Sequence, residues 1–190
     1  MDVKITRIKK EIIIGGFSIE TSPENNERDL EVLFNDFYNG KMDLLNSFSK
    51  NSIEYYGIIW HTELHERYKY LIGQNITNEL TNFNGIRIRR SYKDLIFSKL
   101  VKINKPAKFE WKEIPNGTYA YASFAKDIDS IKAWTNFNQT GIPEIGYRPK
   151  EKDAFAFKYY PNGLHDKYEL WSLVEENARV PAGRLTRNLY

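Results

Sequence analysis

Two stretches of this sequence occur twice, about 100 residues apart. The first is Lys-Glu-Ile followed closely by glycine, at residues 10–12 and again at 112–114. The second is Leu-His-acid-base-Tyr, at residues 64–68 and again at 164–168. Because both matches keep nearly the same separation, they predict a duplicated unit. With two copies only, the sequence predicts a duplicated domain and not a solenoid.

Each unit shows the same predicted order of elements: a strand, a helix, and a hairpin of two strands. Ser22-Pro23 is predicted to start the first helix and Asp127 to cap the second. Apolar residues at helical spacing from 30 to 48 predict one helix with a weak point at 39–41. The predicted strands are 11–21, 52–62 and 67–76 in the first unit and 119–124, 155–160 and 167–174 in the second.

These units predict an α+β fold with an antiparallel sheet, helices on one face, and a central ligand groove where the two units meet. We expect a single domain over residues 1–177, with unit one at 10–77 and unit two at 109–177. Residues 78–108 have no counterpart in either unit and are expected to form an inserted linker with its own short helix. Residues 178–190 show no periodicity and are expected to be a C-terminal tail.

The composition excludes several classes of protein. The 28 basic and 25 acidic residues give a net charge of +3, too small for the concentrated basic face of a nucleic-acid binder. The absence of cysteine excludes a disulfide scaffold and a thiolate metal site, and it suits a reducing cytoplasm. No segment approaches ~20 consecutive apolar residues, so we expect no membrane span. Because unit one starts near residue 10, we expect no helix-turn-helix before it and no DNA binding within the chain.

Patterns that point to catalysis are scarce. The sequence has no phosphate-binding glycine loop and no Gly-x-Ser-x-Gly nucleophile elbow. His65 and His165 lie at equivalent positions of the two units, which the duplication explains without a role as ligand or base. We therefore predict no catalytic residue, no metal site and no cofactor.

Aromatic residues and one asymmetric charge point instead to binding. Aromatic residues make up 15% of the chain, more than a core of this size needs. The last strand of unit two carries Glu169, whereas the equivalent position of unit one is Lys69. A carboxylate beside Trp171 on a partly buried face suits an organic cation, which needs a counter-charge and aromatic walls. The alternative is that Glu169 lies on a solvated face and Trp171 packs at its edge.

Four motifs, in order, resemble the GyrI-like small-molecule-binding family, the effector-binding domains of bacterial multidrug and AraC-type transcription regulators. They are Pro-Asn-Gly-Thr-Tyr-Ala at 115–120, a helix containing Ile131 and Trp134, Gly-Tyr at 146–147, and Tyr-Glu-Leu-Trp at 168–171. The resemblance extends over residues 10–174, interrupted by the linker. It implies that Glu169 is the acidic pocket residue. The implied aromatic walls are Trp171, Tyr121 and Tyr147. Trp134 and Trp60 are further candidate ligand-binding residues.

One departure from the family pattern concerns the strand before the final hairpin. The family often carries Glu-x-Tyr there, whereas this chain has Phe157, Lys158 and Tyr159. The departure argues against a second acid and against affinity for dications.

The resemblance implies a stand-alone cytoplasmic module that binds lipophilic, cationic small molecules. Two alternatives stay open: a hydrolase acting on small electrophilic compounds in the same groove, and a protein-binding inhibitor of the gyrase-inhibitor type, which would need a protein partner. We expect binding rather than catalysis.

Overall fold

A computed structural model describes residues 1–48, 53–62, 66–76 and 108–177. Its strands form one sheet whose pairs are all antiparallel. The strands are β1 (Lys4–Ile8), β2 (Ile12–Thr21), β3 (Tyr55–His61), β4 (Tyr68–Asn75), β5 (Lys108–Ile114), β6 (Gly117–Phe124), β7 (Tyr147–Pro149), β8 (Ala156–Tyr160) and β9 (Tyr168–Glu176). The helices are α1 (Asn26–Asp36), α2 (Met42–Phe48), α3 (Ser130–Asn136) and α4 (Ile142–Glu144).

The sheet order is β1-β6-β9-β8-β3-β4-β2-β5, with β7 added beside β9. The central pair joins one strand from each predicted unit: β3 pairs with β8, and Gly57 lies opposite Lys158. The outer strands are exchanged, since β1 leads into β2 but pairs with β6, and β5 leads into β6 but pairs with β2. The sequence did not predict β1, β5 or β7.

The helices cover one face of the sheet, as predicted for the α+β fold. The helix-side core combines helix residues, such as Leu33, Phe37 and Phe137, with strand residues such as Tyr70 and Leu170. The buried residues of the opposite core all come from strands or strand ends. They are Ile14, Tyr56, Ile58, Leu71, Ile114, Tyr119, Phe157 and Leu173. Alternation along each strand sends neighbouring side chains to opposite faces and so supplies both cores.

The helix starts differ from those predicted. Ser22 accepts a backbone hydrogen bond from Asn25, so Pro23 lies in a turn and α1 begins at Asn26. The cap of α3 is Asp129 and not Asp127, because the Asp129 carboxylate accepts the backbone N–H of Ile131 at 2.8 Å and that of the next residue at 2.9 Å. The cap of α3 is an aspartate, as predicted, whereas Asn25 at the start of α1 makes no side-chain capping hydrogen bond. In both cases the preceding turn placed the predicted start too early.

The weak point in the first helix is a kink. A π-helical turn, Phe37–Lys41, separates α1 from α2, and Asn39 and Gly40 leave the helical conformation, with φ of +118° at Gly40. A second π-helical turn, Phe137–Gly141, separates α3 from α4. The predicted single helix is therefore two helices joined through a glycine that adopts a positive φ at little cost.

Both predicted units contain the order strand, helix, strand, strand, and the sheet includes strands from Lys4 to Glu176. Common origin of the two units remains a prediction. Residues 64 and 65, the linker apart from Lys108, and the tail at 178–190 lie outside the described residues.

Candidate functional site

A cavity of about 870 Å³ lies between α1 and α3, over the central strands β3 and β8. We call it the central groove. Asn26 and Leu30 of α1 line one side, and Ile131 and Trp134 of α3 line the other. Because β3 and β8 belong to different units, the groove lies where the two units meet.

The walls of the central groove are largely apolar. Leu30 and Trp134 are partly buried against the helix-side core, whereas Ile131 and Ile59 remain 78% and 47% exposed. An isoleucine as exposed as Ile131 leaves apolar surface in water that a ligand can cover.

The floor of the groove contains Tyr70, which packs against a glycine. Tyr70 and Gly57 line the groove, and a Cβ atom on Gly57 would lie 2.5 Å from the Tyr70 hydroxyl. Tyr70 and Tyr160 share a hydrogen bond between their hydroxyl groups, and burial raises the pKa of Tyr70 to about 12. Because Gly57 has no side chain, the Tyr70 hydroxyl can approach the backbone of β3 at the middle of the sheet.

Three charged residues line the groove: Lys150, Lys158 and Asp129. Lys158 is half-buried, and its Nζ lies 5.2 Å from the centroid of the Tyr168 ring. Burial lowers the pKa of Lys158. The Asp129 carboxylate, by contrast, already accepts two backbone N–H groups at the start of α3, and these hold its pKa below the usual value. The lining therefore offers more positive than negative charge to a ligand.

No protein-family model and no curated protein matches the chain. Among solved structures, it is similar to SAV2435 bound to tetraphenylphosphonium, at 12% identity and a TM-score of 0.58, over 92% of this chain and 94% of that one. It is also similar to an integron cassette protein from Vibrio cholerae, at 13% identity and a TM-score of 0.55, over 91% and 95% of the two chains. A putative transcription regulation protein from Staphylococcus aureus gives 11% identity and a TM-score of 0.54, over 92% and 99%.

The chain has the GyrI-like fold. At these identities the likeness shows the fold alone and not the residues of the site.

Within the GyrI-like fold, Trp134 is the predicted site residue that lines the central groove. Glu169, Trp171 and Tyr121 lie together elsewhere, beside the opposite core. The Trp171 indole Nε1 donates to Glu169 Oε2 at 2.9 Å, and Ser123 Oγ donates to Glu169 Oε1 at 3.3 Å. The rings of Tyr121 and Trp171 stack with centroids 4.5 Å apart. We call this set the Glu169 cluster.

Tyr159 completes the Glu169 cluster from β8, its ring centroid 6.2 Å from that of Trp171. Burial raises the pKa of Tyr159, and the carboxylates of Glu54 and Glu169 raise it further. The cluster is thus a partly covered carboxylate bordered by aromatic rings.

The two remaining predicted residues lie apart from both sites. Tyr147 is on β7 and packs against the helix-side core. Trp60 is near the end of β3, beside the opposite core, and Lys112 Nζ lies 5.1 Å from its ring centroid. The structure therefore brings together three of the six predicted residues, and neither Tyr147 nor Trp60 joins them.

Several groove residues were not predicted from the sequence, including Ile59, Tyr68, Tyr70 and Lys158. A signal for Lys158 was available, because residues 155–160 alternate and place Ala156, Lys158 and Tyr160 on one face. A lysine on the buried face of a central strand is uncommon unless it is paired or functional. The position of β8 at the centre of the sheet could not be read from that pattern.

In the described ranges, no group of three or more acidic or histidine side chains is placed to hold a metal ion. No helix within those ranges is long and apolar enough to cross a membrane. His165 stacks on Tyr38 with ring centroids 5.1 Å apart, away from the groove lining.

Proposed function

We propose that the chain binds small apolar molecules in the central groove. The observation that carries this proposal is the cavity itself, a space of about 870 Å³ between two helices with mostly apolar walls. Small-molecule pockets have volumes of about 300–1,000 Å³, mostly apolar linings and a few polar groups. The groove has this composition, with Lys158, Tyr70 and Asp129 among its polar groups.

The similarity to SAV2435 supports the proposal. That structure contains tetraphenylphosphonium, an aromatic cation, and the similarity covers 92% of the present chain. The putative transcription regulation protein from S. aureus has the same fold, which is consistent with an effector-binding role for this chain.

The test uses the exposed wall of the groove. Ile131→Ala removes apolar surface that is exposed in the free protein, so the fold loses little stability. We expect it to weaken a bound neutral probe, 2-naphthalenemethanol, by roughly three- to tenfold, because the lost methyl groups no longer cover the ligand. Calorimetric titration measures the affinity.

Ile128→Ala is the matched control. Ile128 is also exposed, at 44%, but it is not among the residues that line the groove. Equal loss of affinity in the two variants, or no binding of the probe by the wild type, would contradict the proposal.

A second candidate site is the Glu169 cluster. We propose that it binds a lipophilic cation, because Glu169 supplies a carboxylate and Trp171 and Tyr121 supply stacked rings. The hydrogen bonds from Trp171 and Ser123 come from neutral donors, so they leave the carboxylate as a counter-charge for a cation. This site retains the cationic ligand predicted from the sequence and is independent of the central groove.

A further inference from the structure

Lys158 occupies the middle of the central groove. It lies on β8, one of the two central strands, directly opposite Gly57 on β3. Both residues line the groove, and Gly57 has no side chain that would cover the lysine. The ammonium group therefore projects from the floor of an apolar cavity at the junction of the two predicted units.

No carboxylate in the described part of the chain forms an ion pair with Lys158. Its observed partner is the face of the Tyr168 ring, 5.2 Å from Nζ. Asp129, the acidic residue in the groove lining, is engaged by the backbone of α3. The lowered pKa of Lys158 agrees with a charge that has lost water without gaining a counter-ion.

A half-buried cation of this kind selects its ligand by charge. An ammonium group that is poorly hydrated and unpaired is stabilised by an anion, because a charge-assisted hydrogen bond replaces the lost water. A cationic ligand in the same groove would meet Lys158 and Lys150 and would find the one lining carboxylate already engaged.

We propose that the central groove binds molecules with an apolar, aromatic-sized body and a single carboxylate, and that Lys158 Nζ donates a hydrogen bond to that carboxylate. This inference rests on the proposed function of the groove and adds the charge of the ligand. The apolar body contacts Ile131, Trp134 and Leu30, and the carboxylate points to the floor.

Two probes that differ in one functional group test the inference: 2-naphthoate and the neutral 2-naphthalenemethanol. We expect the wild-type protein to bind naphthoate about tenfold more tightly than the alcohol, the scale of one charge-assisted contact. Lys158→Met, which keeps the length of the side chain, should weaken naphthoate about tenfold and change the alcohol by less than about threefold. Lys158→Arg should retain most of the naphthoate affinity because it keeps the charge.

The matched control is Lys132→Met, on the exposed surface of α3 and outside the groove lining. Chemical denaturation of each variant verifies folding, and removal of the unpaired Lys158 charge should leave stability equal or higher. Equal binding of naphthoate by wild type and Lys158→Met, or equal losses in Lys158→Met and Lys132→Met, overturns the inference.

The alcohol separates this inference from the proposed function. If the alcohol binds and depends on Ile131 but naphthoate gains nothing from Lys158, the groove is a binding site and the carboxylate assignment is wrong. If neither probe binds, both the proposed function and this inference fail.

Discussion

Phe37 and Phe137 occupy the same place in their two units: each begins a π-helical turn at the end of a helix, and each is fully buried in the helix-side core. The turns close differently. The first ends at Lys41, a 5%-exposed lysine whose Nζ contacts Asp36 Oδ2 at 2.8 Å and lies 5.5 Å from the Phe17 ring centroid. The second ends at Gly141, which packs against Met1 and Val3.

Asp36→Asn should therefore destabilise the protein. The change leaves the buried Lys41 ammonium without its counter-ion, and we expect a loss of roughly 1–3 kcal/mol in the free energy of unfolding, less than for a fully buried pair because Asp36 is partly exposed. Urea denaturation measures the loss. Asp43→Asn, at an exposed position of α2, is the control and should change stability by less than about 0.5 kcal/mol. Similar losses in the two variants would show that the ion pair does not stabilise the turn.

Gly57 and Tyr70 give a prediction for the floor of the groove. Gly57→Ala places a methyl group against the Tyr70 hydroxyl, which is fixed by burial and by its hydrogen bond with Tyr160. We expect a loss of roughly 1–3 kcal/mol from overpacking. Tyr70→Phe removes the clashing oxygen, so the double variant should lose less than the sum of the two single variants. If the losses of stability in the two single variants add up in the double variant, then the methyl group introduced at position 57 does not clash with the Tyr70 hydroxyl.

The element types were predictable from the sequence because they depend on local patterns. β2 and β4 lie within one or two residues of the predicted strands, since alternation and β-branched residues mark them clearly. β1 and β5 were not predicted, because each pairs with a strand of the other unit and that partner is unknown before the sheet order is known. The predicted helix starts were too early by three residues at Ser22 and by two residues at Asp127, because in each case a turn resembled a cap.

The candidate sites show the same division between local and long-range information. Glu169 and Trp171 are two residues apart on one strand, so their common face followed from alternation. Tyr121 joins them because β6 pairs with β9 in a register that places it opposite Trp171. Trp134 lies on a different side of the sheet, and Trp60 is on β3, two strands away from β9. Sequence alone could not separate these two surfaces.

Alkaline pH should destabilise the fold through its buried tyrosines. Burial raises the pKa of Tyr70 to about 12, whereas a tyrosine in the unfolded chain ionises near 10. Below pH 10 the Tyr70 hydroxyl is protonated in both the folded and the unfolded chain. Between pH 10 and 12 it loses its proton in the unfolded chain but keeps it in the folded protein, so the free energy of unfolding falls as pH rises. For Tyr70 the loss is roughly 2–3 kcal/mol over this interval.

The measurement is the free energy of unfolding by urea at several pH values between 9 and 11.5. Burial also raises the pKa of other tyrosines, including Tyr56 and Tyr119. The slope of stability against pH in the wild type is therefore the sum of several contributions. Tyr70→Phe should make this slope less steep. An unchanged slope in the variant would mean that Tyr70 ionises normally in the folded protein.

The negative charge of Glu169 can be removed without loss of its hydrogen bond from Trp171. Glu169→Gln keeps an oxygen that accepts the Trp171 indole hydrogen bond but removes the negative charge. If the Glu169 cluster binds a lipophilic cation, the variant should weaken tetraphenylphosphonium by roughly 1–3 kcal/mol, the scale of a Coulomb interaction between unit charges a few ångströms apart near a protein surface. Stability should stay equal or rise, because an amide is less costly to bury than a carboxylate.

Two further variants make this result specific to the cluster. Trp171→Ala should weaken tetraphenylphosphonium, since the indole ring forms an aromatic wall of the cluster, and should leave 2-naphthalenemethanol unchanged, since Trp171 does not line the central groove. Lys158→Met, in the central groove, should leave binding of the cation at Glu169 unchanged. If calorimetry gives wild type and Glu169→Gln the same affinity for the cation, then Glu169 is a strand residue whose carboxylate serves only Trp171 and Ser123.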